Sequence, residues 1–210
     1  MELEEAITTQ RAIRRLKPDP VDDEVLLRCL RLAAHAPSGG NSQGFEFILV
    51  RDTSVRAALG RQYRRSWSVY GGLGRMLYGD RARTRKIIDA VQWQVDHWEE
   101  VPVLVVVCLR GVSVPVPAVL RISRYGSVFP AVQNFLLAAR AEGLGATLTT
   151  LPLWSRLAAH RILGLPWNVE PVAVIPVGWP RGRYGPTSRR PVEDSIHLDR
   201  YGRKPFARAR

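Results

Sequence analysis

The sequence predicts a single α+β domain in which helices flank a central sheet. Segments with apolar residues at helical spacing alternate irregularly with short apolar stretches of strand length. The chain of 210 residues is long enough for one domain with a sizeable core, and 46% of its residues are hydrophobic. Residues 1–210 are therefore interpreted as one domain, with 179–210 as a basic C-terminal extension.

The N-terminal half is predicted to be mostly helical. Helices are expected over 2–10 and 22–37, separated by a segment with two prolines. A strand follows at 45–50, where aromatic and β-branched residues are frequent. Residues 53–100 then favour helix, interrupted by the glycines of 71–74.

The C-terminal half is predicted to contain the centre of the sheet. The near-continuous apolar run Val103–Leu109 indicates a central strand that is buried on both faces. A helix that is apolar almost all round is expected over 128–141, inside the domain or at a subunit interface. Beyond it, the expected elements are a strand, a helix and a strand, over 146–151, 153–163 and 172–177.

The composition is strongly basic, with a formal net charge of +12. Basic residues concentrate in 61–86 and in 181–210. A nucleic-acid-binding protein would show such clusters together with a reading element, and no helix-turn-helix, zinc-finger or RNP-like pattern occurs. Anionic ligands or an arginine-rich coding bias explain the charge as well, so nucleic acid is an alternative partner that we do not favour.

The two cysteines, Cys29 and Cys108, lie in apolar contexts, which favours buried reduced thiols over a disulfide. Neither they nor the histidines show metal-ligand spacing, so no metal site is expected. The longest apolar run is shorter than the roughly 18–20 residues of a membrane span. Because the N-terminus also lacks the pattern of a signal peptide, we expect a cytoplasmic protein that does not associate with membranes.

Four segments, in order along the chain, resemble signatures of the nitroreductase family. Residues 10–16 (Gln-Arg-Ala-Ile-Arg-Arg-Leu) are similar to the family's Arg-Ser-x-Arg-x-Phe. Residues 36–45 (Ala-Pro-Ser-Gly-Gly-Asn-Ser-Gln-Gly-Phe) resemble its Ala-Pro-Ser-x-x-Asn-x-Gln-Pro-Trp turn. The helix that leads into 143–145 resembles a third block, and 178–180 with 188–192 resemble a fourth, weaker one.

This resemblance implies a nitroreductase-like fold, with a mixed, mostly antiparallel central sheet flanked by helices in an intertwined homodimer. It implies FMN at the subunit interface and electron transfer from NADPH or NADH, through the flavin N5, to an organic acceptor such as a quinone or a nitroaromatic, in ping-pong order. Because the flavin carries the chemistry, no catalytic acid, base or nucleophile is expected from the protein. The extension after Trp179 is expected to pack on the partner subunit.

The resemblance also assigns residues to the cofactor. Arg11, Ala12 and Arg14, together with Arg189, match positions at the flavin, and guanidinium groups bind phosphate bidentately. In relatives, a cation at the position of Arg14 lies near the flavin N1 and stabilises the anionic reduced flavin. Outside the motif, each arginine would be interpreted as an ordinary surface charge.

Two more segments are assigned in the same way. The turn with Pro37, Ser38, Gly39 and Asn41 reaches the flavin of the partner subunit in relatives, although this composition suits any helix-to-strand turn. A second segment passes the flavin N5 in relatives, although threonines suit any strand. It comprises Thr149, Thr150 and Leu151.

The sequence departs from the family pattern in places, and other functions stay open. Ala12 replaces a serine and so removes one hydrogen bond to a phosphate, for which Arg15 can compensate. A flavin-binding sensor or storage protein would bind FMN without being reduced by either nicotinamide. A nucleic-acid binder on this fold would show salt-dependent retention and no chromophore. Trp67, Tyr70 and Trp93 are candidates for stacking on an acceptor, or for the core.

Overall fold

The computed structural model describes residues 1–78, 82–111 and 117–206. Within these residues, six α-helices and four strands follow one another along the chain. The helices are α1 (Leu3–Thr9), α2 (Asp23–Ala34), α3 (Thr53–Tyr78), α4 (Ala82–Asp96), α5 (Ala118–Ala141) and α6 (Arg156–Leu163), and the strands are β1 (Phe45–Val50), β2 (Val103–Arg110), β3 (Gly145–Ala146) and β4 (Val169–Gly178). None of these helices combines the length and the apolar character needed to cross a membrane.

The four strands form one sheet in the order β1-β2-β4-β3. Every neighbouring pair is antiparallel. The predicted α+β class and the mostly antiparallel sheet are therefore confirmed, and no parallel pair occurs among the strands of the described residues.

β2 is buried on both faces because helices cover each side of the sheet. Val105 and the other odd-numbered residues of β2 face a core shared with α2 and α5. Val106 and the other buried even-numbered residues face a second core shared with α3, α4 and α6. Two apolar faces on one strand explain why its sequence is a continuous apolar run, as predicted.

α3 continues through Gly71, where the sequence predicted an interruption. A Cβ at this position would lie 2.8 Å from the Trp67 indole, so glycine allows that side chain to pack along its own helix. Trp67 is buried and its Nε1 donates to Gln92 of α4 at 2.8 Å. This packing outweighs the cost of glycine in a helix, about 1 kcal/mol relative to alanine.

α5 begins at Ala118, well before the predicted start at 128. Its first half is exposed, and Val119 and Ile122 each keep 69% of their accessible surface. Its second half is buried against α2 and the sheet. The exposed apolar residues and Pro130 in the helix interior hid the true start in the sequence pattern.

The predicted strand over 146–151 is wrong, because β3 ends at Ala146. The chain contacts the sheet once more, at a bridge between Thr149 and Val174. Thr150 then adopts helical backbone angles and a 3-10 turn begins. Pro152 inside this turn has no amide hydrogen to donate to a neighbouring strand, which ends the sheet here.

Cys29 and Cys108 are buried free thiols, as predicted. Burial raises the pKa of Cys29 to about 11 and the pKa of Cys108 to about 12, because the thiolate would lose its hydration.

Candidate functional site

The N-terminal segment 11–17 lies between two segments that the sequence also singled out. Ile13 N–H donates to the carbonyl of Ala146 at 3.1 Å, and Lys17 N–H donates to the carbonyl of Trp179 at 2.7 Å. Backbone hydrogen bonds thus connect the N-terminal motif to Ala146, which directly follows the third motif, and to Trp179, which belongs to the fourth. These three segments are far apart in sequence.

Glycine is required at Gly145 because the N-terminal segment crosses directly over it. A Cβ there would lie 2.6 Å from a methyl group of Leu16 and 2.8 Å from one of Ile13. The glycine of the third motif therefore accommodates side chains of the first, and the two motifs form one packing unit.

A groove of about 840 Å³ opens beside the N-terminal segment and α4. Cationic side chains outnumber carboxylates in its lining, so its electrostatic potential favours an anion. Three of the predicted cofactor residues, Arg11, Ala12 and Arg14, meet here. Over the described residues, the cations are Arg11, Arg14, Arg15, Lys86, Arg181 and Arg183, and the acids are Asp89 and Glu100.

Arg14 and Thr149 both affect the pKa of the buried phenol of Tyr63 in α3. Burial lowers the pKa of Arg14 and Tyr63 opposes this effect, but a guanidinium stays protonated at physiological pH. Burial raises the pKa of Tyr63, whereas a hydrogen bond from Thr149 and the charge of Arg14 lower it. Two predicted site residues from distant parts of the chain therefore act on the same buried side chain.

Behind this contact lies a buried amide that the sequence did not identify. The Tyr63 hydroxyl donates to Gln94 Oε1 at 3.3 Å. Gln94 is 1% exposed, and its Nε2 has no hydrogen-bond partner in the described part of the chain. An unpaired buried donor costs about 1–3 kcal/mol, but Gln94 is not among the residues that line the groove, so this amide is not assigned to a ligand.

The Thr149–Leu151 loop is held from two sides. The backbone N–H and carbonyl of Thr149 exchange hydrogen bonds with Val174, both at 2.9 Å. Ser66 Oγ of α3 donates to the carbonyl of Leu151 at 2.9 Å. The Thr149 amide is thus committed to the sheet, and the loop can offer a ligand the Thr149 hydroxyl, the exposed Thr150 and part of Leu151.

Gly39 of the glycine-rich turn over 37–41 lines a second groove, of about 600 Å³, whereas Pro37, Ser38 and Asn41 are not part of its lining. Gly40 (φ 59°) and Asn41 (φ 52°) have left-handed backbone angles, which these two residue types tolerate well. Gly39 N–H donates to Ser127 Oγ of α5 at 3.1 Å, which fixes the turn on that helix. No residue in the described ranges lines both grooves, so a single chain does not bring this turn to the arginines.

Arg189 lies outside the basic groove, in the C-terminal extension. The extension first runs beside the N-terminal segment of its own chain, where Thr187 N–H donates to the carbonyl of Thr8 at 2.9 Å. The Arg189 side chain is exposed and donates to the carbonyl of Ser188 at 3.0 Å. The structure therefore does not join Arg189 to Arg11 and Arg14.

Arg181 occupies the groove, and the sequence reasoning missed it. Its Nε donates to the carbonyl of Leu16 at 2.8 Å, and its Nη2 lies 3.1 Å from Glu100 Oε2. Its place directly after the Gly-Trp-Pro of 178–180 is the signal that could have identified it. Trp93, considered for stacking or for the core, also lines the groove, whereas Trp67 is buried in the core.

A profile described as "Nitroreductase family" matches residues 7–179. The chain belongs to the nitroreductase family. The matched range includes the N-terminal motif, the glycine-rich turn and the Thr149–Leu151 loop, and it ends where the C-terminal extension begins.

Several relatives of this nitroreductase-family chain are deiodinases by name. Iodotyrosine deiodinase 1 of Rattus norvegicus is 24% identical over 199 residues, which cover 93% of this chain and 68% of the rat protein. Iodotyrosine deiodinase of Thermotoga neapolitana is 28% identical over 173 residues, which cover 81% of this chain and 84% of that protein.

Solved structures of the family share the fold. Oxidized iodotyrosine deiodinase bound to FMN and 3-iodo-L-tyrosine has a TM-score of 0.68 at 26% identity, with 96% of this chain and 99% of that chain covered. A nitroreductase-like family protein from Bacillus cereus has a TM-score of 0.69 at 19% identity, with 94% and 96% covered. The predicted nitroreductase-like fold is confirmed.

Proposed function

We propose that this protein is an FMN-dependent oxidoreductase that passes electrons from NADPH or NADH to an organic acceptor. The observation that carries the proposal is the basic groove of about 840 Å³ in which Arg11, Ala12 and Arg14 of the first motif meet. A relative with the same fold contains FMN in its crystal structure, which supports the choice of cofactor.

The side chains of this site fit FMN. Its phosphate requires cations, and Arg11 supplies a guanidinium in the groove. Its ring carries nitrogens and carbonyl oxygens that accept hydrogen bonds, and the guanidinium of Arg14 in the groove supplies donors. The groove volume of about 840 Å³ falls within the roughly 300–1,000 Å³ of small-molecule sites.

Each residue then has a distinct task. When bound, the flavin accepts a hydride from a reduced nicotinamide and passes two electrons to the acceptor. Arg11 holds the phosphate, and Arg14 provides a positive charge whose effect on the ring is strengthened by its partial burial. Ser66 and Val174 hold the Thr149–Leu151 loop in one position, from which it would contact the ring.

The proposal includes a homodimer, because Arg11, Ala12 and Arg14 line one groove of the chain whereas Gly39 of the glycine-rich turn lines another. α5, which fixes the glycine-rich turn, also presents an exposed apolar surface of the kind that marks protein interfaces. Pairing two chains through it would bring the turn of one to the arginines of the other, with the C-terminal extension packed on the partner. The exposed residues of α5 are Val119, Leu120, Ile122 and Phe129.

The experiment that tests this function is a visible spectrum of the purified protein before and after NADPH or NADH is added without oxygen. We expect flavin absorbance that bleaches on addition and returns when a quinone or a nitroaromatic is supplied. A flavin that stays oxidised would indicate a sensor or storage protein. A colourless protein that takes up no FMN would contradict the proposal and direct attention to nucleic acid.

The deiodinase relatives favour a second candidate acceptor, a halogenated aromatic compound. Two electrons and one proton would replace the carbon–iodine bond with a carbon–hydrogen bond and release iodide. Incubation of the reduced protein with 3-iodo-L-tyrosine, followed by iodide measurement, tests this candidate. Iodide release as fast as quinone reduction would support it, and its absence would leave the quinone-like acceptors.

A further inference from the structure

Trp93 of α4 brings two arginines together in the basic groove. The guanidinium carbons of Arg15 and Arg181 lie 5.8 Å and 5.7 Å from the centroid of its ring, a distance typical of cation–π contacts. His97 stacks on the same ring, with 4.0 Å between the centroids and 9° between the planes. Its own helix thus holds the indole in place beneath the two cations.

The two arginines differ in what else they contact. Arg181 is fixed by the carbonyl of Leu16 and by Glu100, so part of its charge is neutralised within the chain. Arg15 is exposed, and its guanidinium lies against the Trp93 ring. This ring orients the group, while its outward donors face the groove and are available to a ligand.

Arg14 and Arg15 serve different places although they are adjacent in sequence. Successive side chains of an extended segment point to opposite sides. Accordingly, the guanidinium of Arg15 lies against Trp93, whereas Arg14 is partly buried and its charge acts on Tyr63.

Arg15 was expected to compensate for the missing phosphate contact at Ala12, but its guanidinium lies against the Trp93 ring instead. With Arg11 assigned to the FMN phosphate, Arg15 and Arg181 form a separate anion-binding position in the same groove. Lys86 adds a third cation to it.

We infer that Arg15, Arg181 and Trp93 form the site for a phosphate group of the electron donor. This inference rests on the proposed function and deepens it, because it selects NADPH over NADH. The extra phosphate of NADPH carries close to two negative charges, and guanidinium groups accommodate it by bidentate hydrogen bonds. The same cations could instead hold the phosphate of FMN, and the experiment separates these two sources of phosphate.

The test uses the flavin-containing protein and the variant Arg15→Gln, with Arg161→Gln on α6, outside both grooves, as the matched control. Three quantities are measured: the flavin content, kcat/KM for flavin reduction by each nicotinamide, and the Kd of adenosine 2′,5′-bisphosphate by calorimetry. Because one charge-assisted contact is lost, we expect Arg15→Gln to lower kcat/KM for NADPH about tenfold and to weaken the bisphosphate about equally. In Arg15→Gln, kcat/KM for NADH and the flavin content should stay within about twofold of the unsubstituted protein. In Arg161→Gln, all three quantities should stay within the same range.

Each contrary result has a definite meaning. Loss of flavin from Arg15→Gln would assign the cluster to the FMN phosphate and overturn the inference, while the proposed function would stand. Equal kcat/KM for both nicotinamides in the unsubstituted protein, or unchanged bisphosphate binding in the variant, would also overturn it. A protein that never binds flavin would refute the proposed function, whatever its affinity for the bisphosphate.

Discussion

Arg14 is the single residue on which the electronic properties of the proposed cofactor site depend most. Arg14→Ala should lower flavin content or shift the flavin midpoint potential to more negative values, because a fixed positive charge beside the reduced ring is lost. Reduction should slow about ten- to hundredfold, in line with removal of one preorganised electrostatic contact. Arg14→Lys keeps the charge and serves as the control.

Flavin content by absorbance, potential by dye equilibration and rates by stopped flow measure these effects. Circular dichroism checks that the variant is folded. A folded Arg14→Ala protein with full flavin content and unchanged rates would show that this arginine does not serve the cofactor.

At this scale the sequence predicted part of the site. Arg11, Ala12 and Arg14 were identified because the whole motif lies in one continuous segment, and they share one groove. The Tyr63–Gln94 pair was not identified. In the sequence, a tyrosine and a glutamine at helical spacing look like ordinary core residues, and only the structure shows that they are hydrogen-bonded to each other.

The two thiols give a prediction about pH. An unfolded thiol has a pKa of about 8.5, whereas burial raises the pKa of Cys29 to about 11 and that of Cys108 to about 12. The folded chain thus keeps protons that the unfolded chain releases, so stability is retained below pH 8.5 or so and falls above it. Iodoacetamide at pH 9 should label both cysteines in urea and neither in the native protein, as read by mass spectrometry. Rapid labelling of the native protein would contradict their burial.

At the scale of elements, alanine substitutions at two neighbouring glycines of α3, Gly71 and Gly72, test how this helix packs. Gly71→Ala should destabilise the protein, because the new Cβ would lie 2.8 Å from the Trp67 indole. Gly72→Ala meets nothing within 4 Å and should stabilise it by about 0.5–1 kcal/mol through helix propensity. Urea unfolding of both variants measures the difference, and equal effects would mean that α3 does not pack as described.

Helices and strands were predicted correctly where burial inside this chain determines their apolar pattern. β2 was predicted well because burial on two faces leaves a continuous apolar run in its own sequence. The first half of α5 was missed because its exposed apolar residues, Val119 and Ile122, give no periodicity toward the core of this chain. β3 was predicted too long because the residues after Ala146 have strand-like composition but pair with β4 only at the bridge between Thr149 and Val174.

At the scale of the whole molecule, separate grooves and an exposed apolar α5 lead to a prediction about assembly. Ile122→Glu should convert a dimer to a monomer and remove most of the bound flavin, because a charge would be buried in the interface. The control is Val69→Glu, because Val69 lies on α3, on the other side of the sheet, and is 64% exposed. This variant should stay dimeric and keep its flavin. Light scattering gives the mass and absorbance gives the flavin content. A dimeric Ile122→Glu protein with full flavin would place the interface elsewhere.

The order of the four motifs predicted the family and the fold, because those properties depend on the entire chain. The sequence could not show how far apart the two grooves lie, since spacing along the chain does not encode distance in space. Nor could it locate Arg189, whose position depends on how the extension runs after Thr187.

The threading of residues 11–17 between Ala146 and Trp179 also constrains how the protein is made in the cell. This segment leaves the ribosome early, yet the backbone groups that receive it are synthesised more than a hundred residues later. A nascent chain therefore cannot present a finished groove during elongation. We expect cofactor loading to follow release from the ribosome.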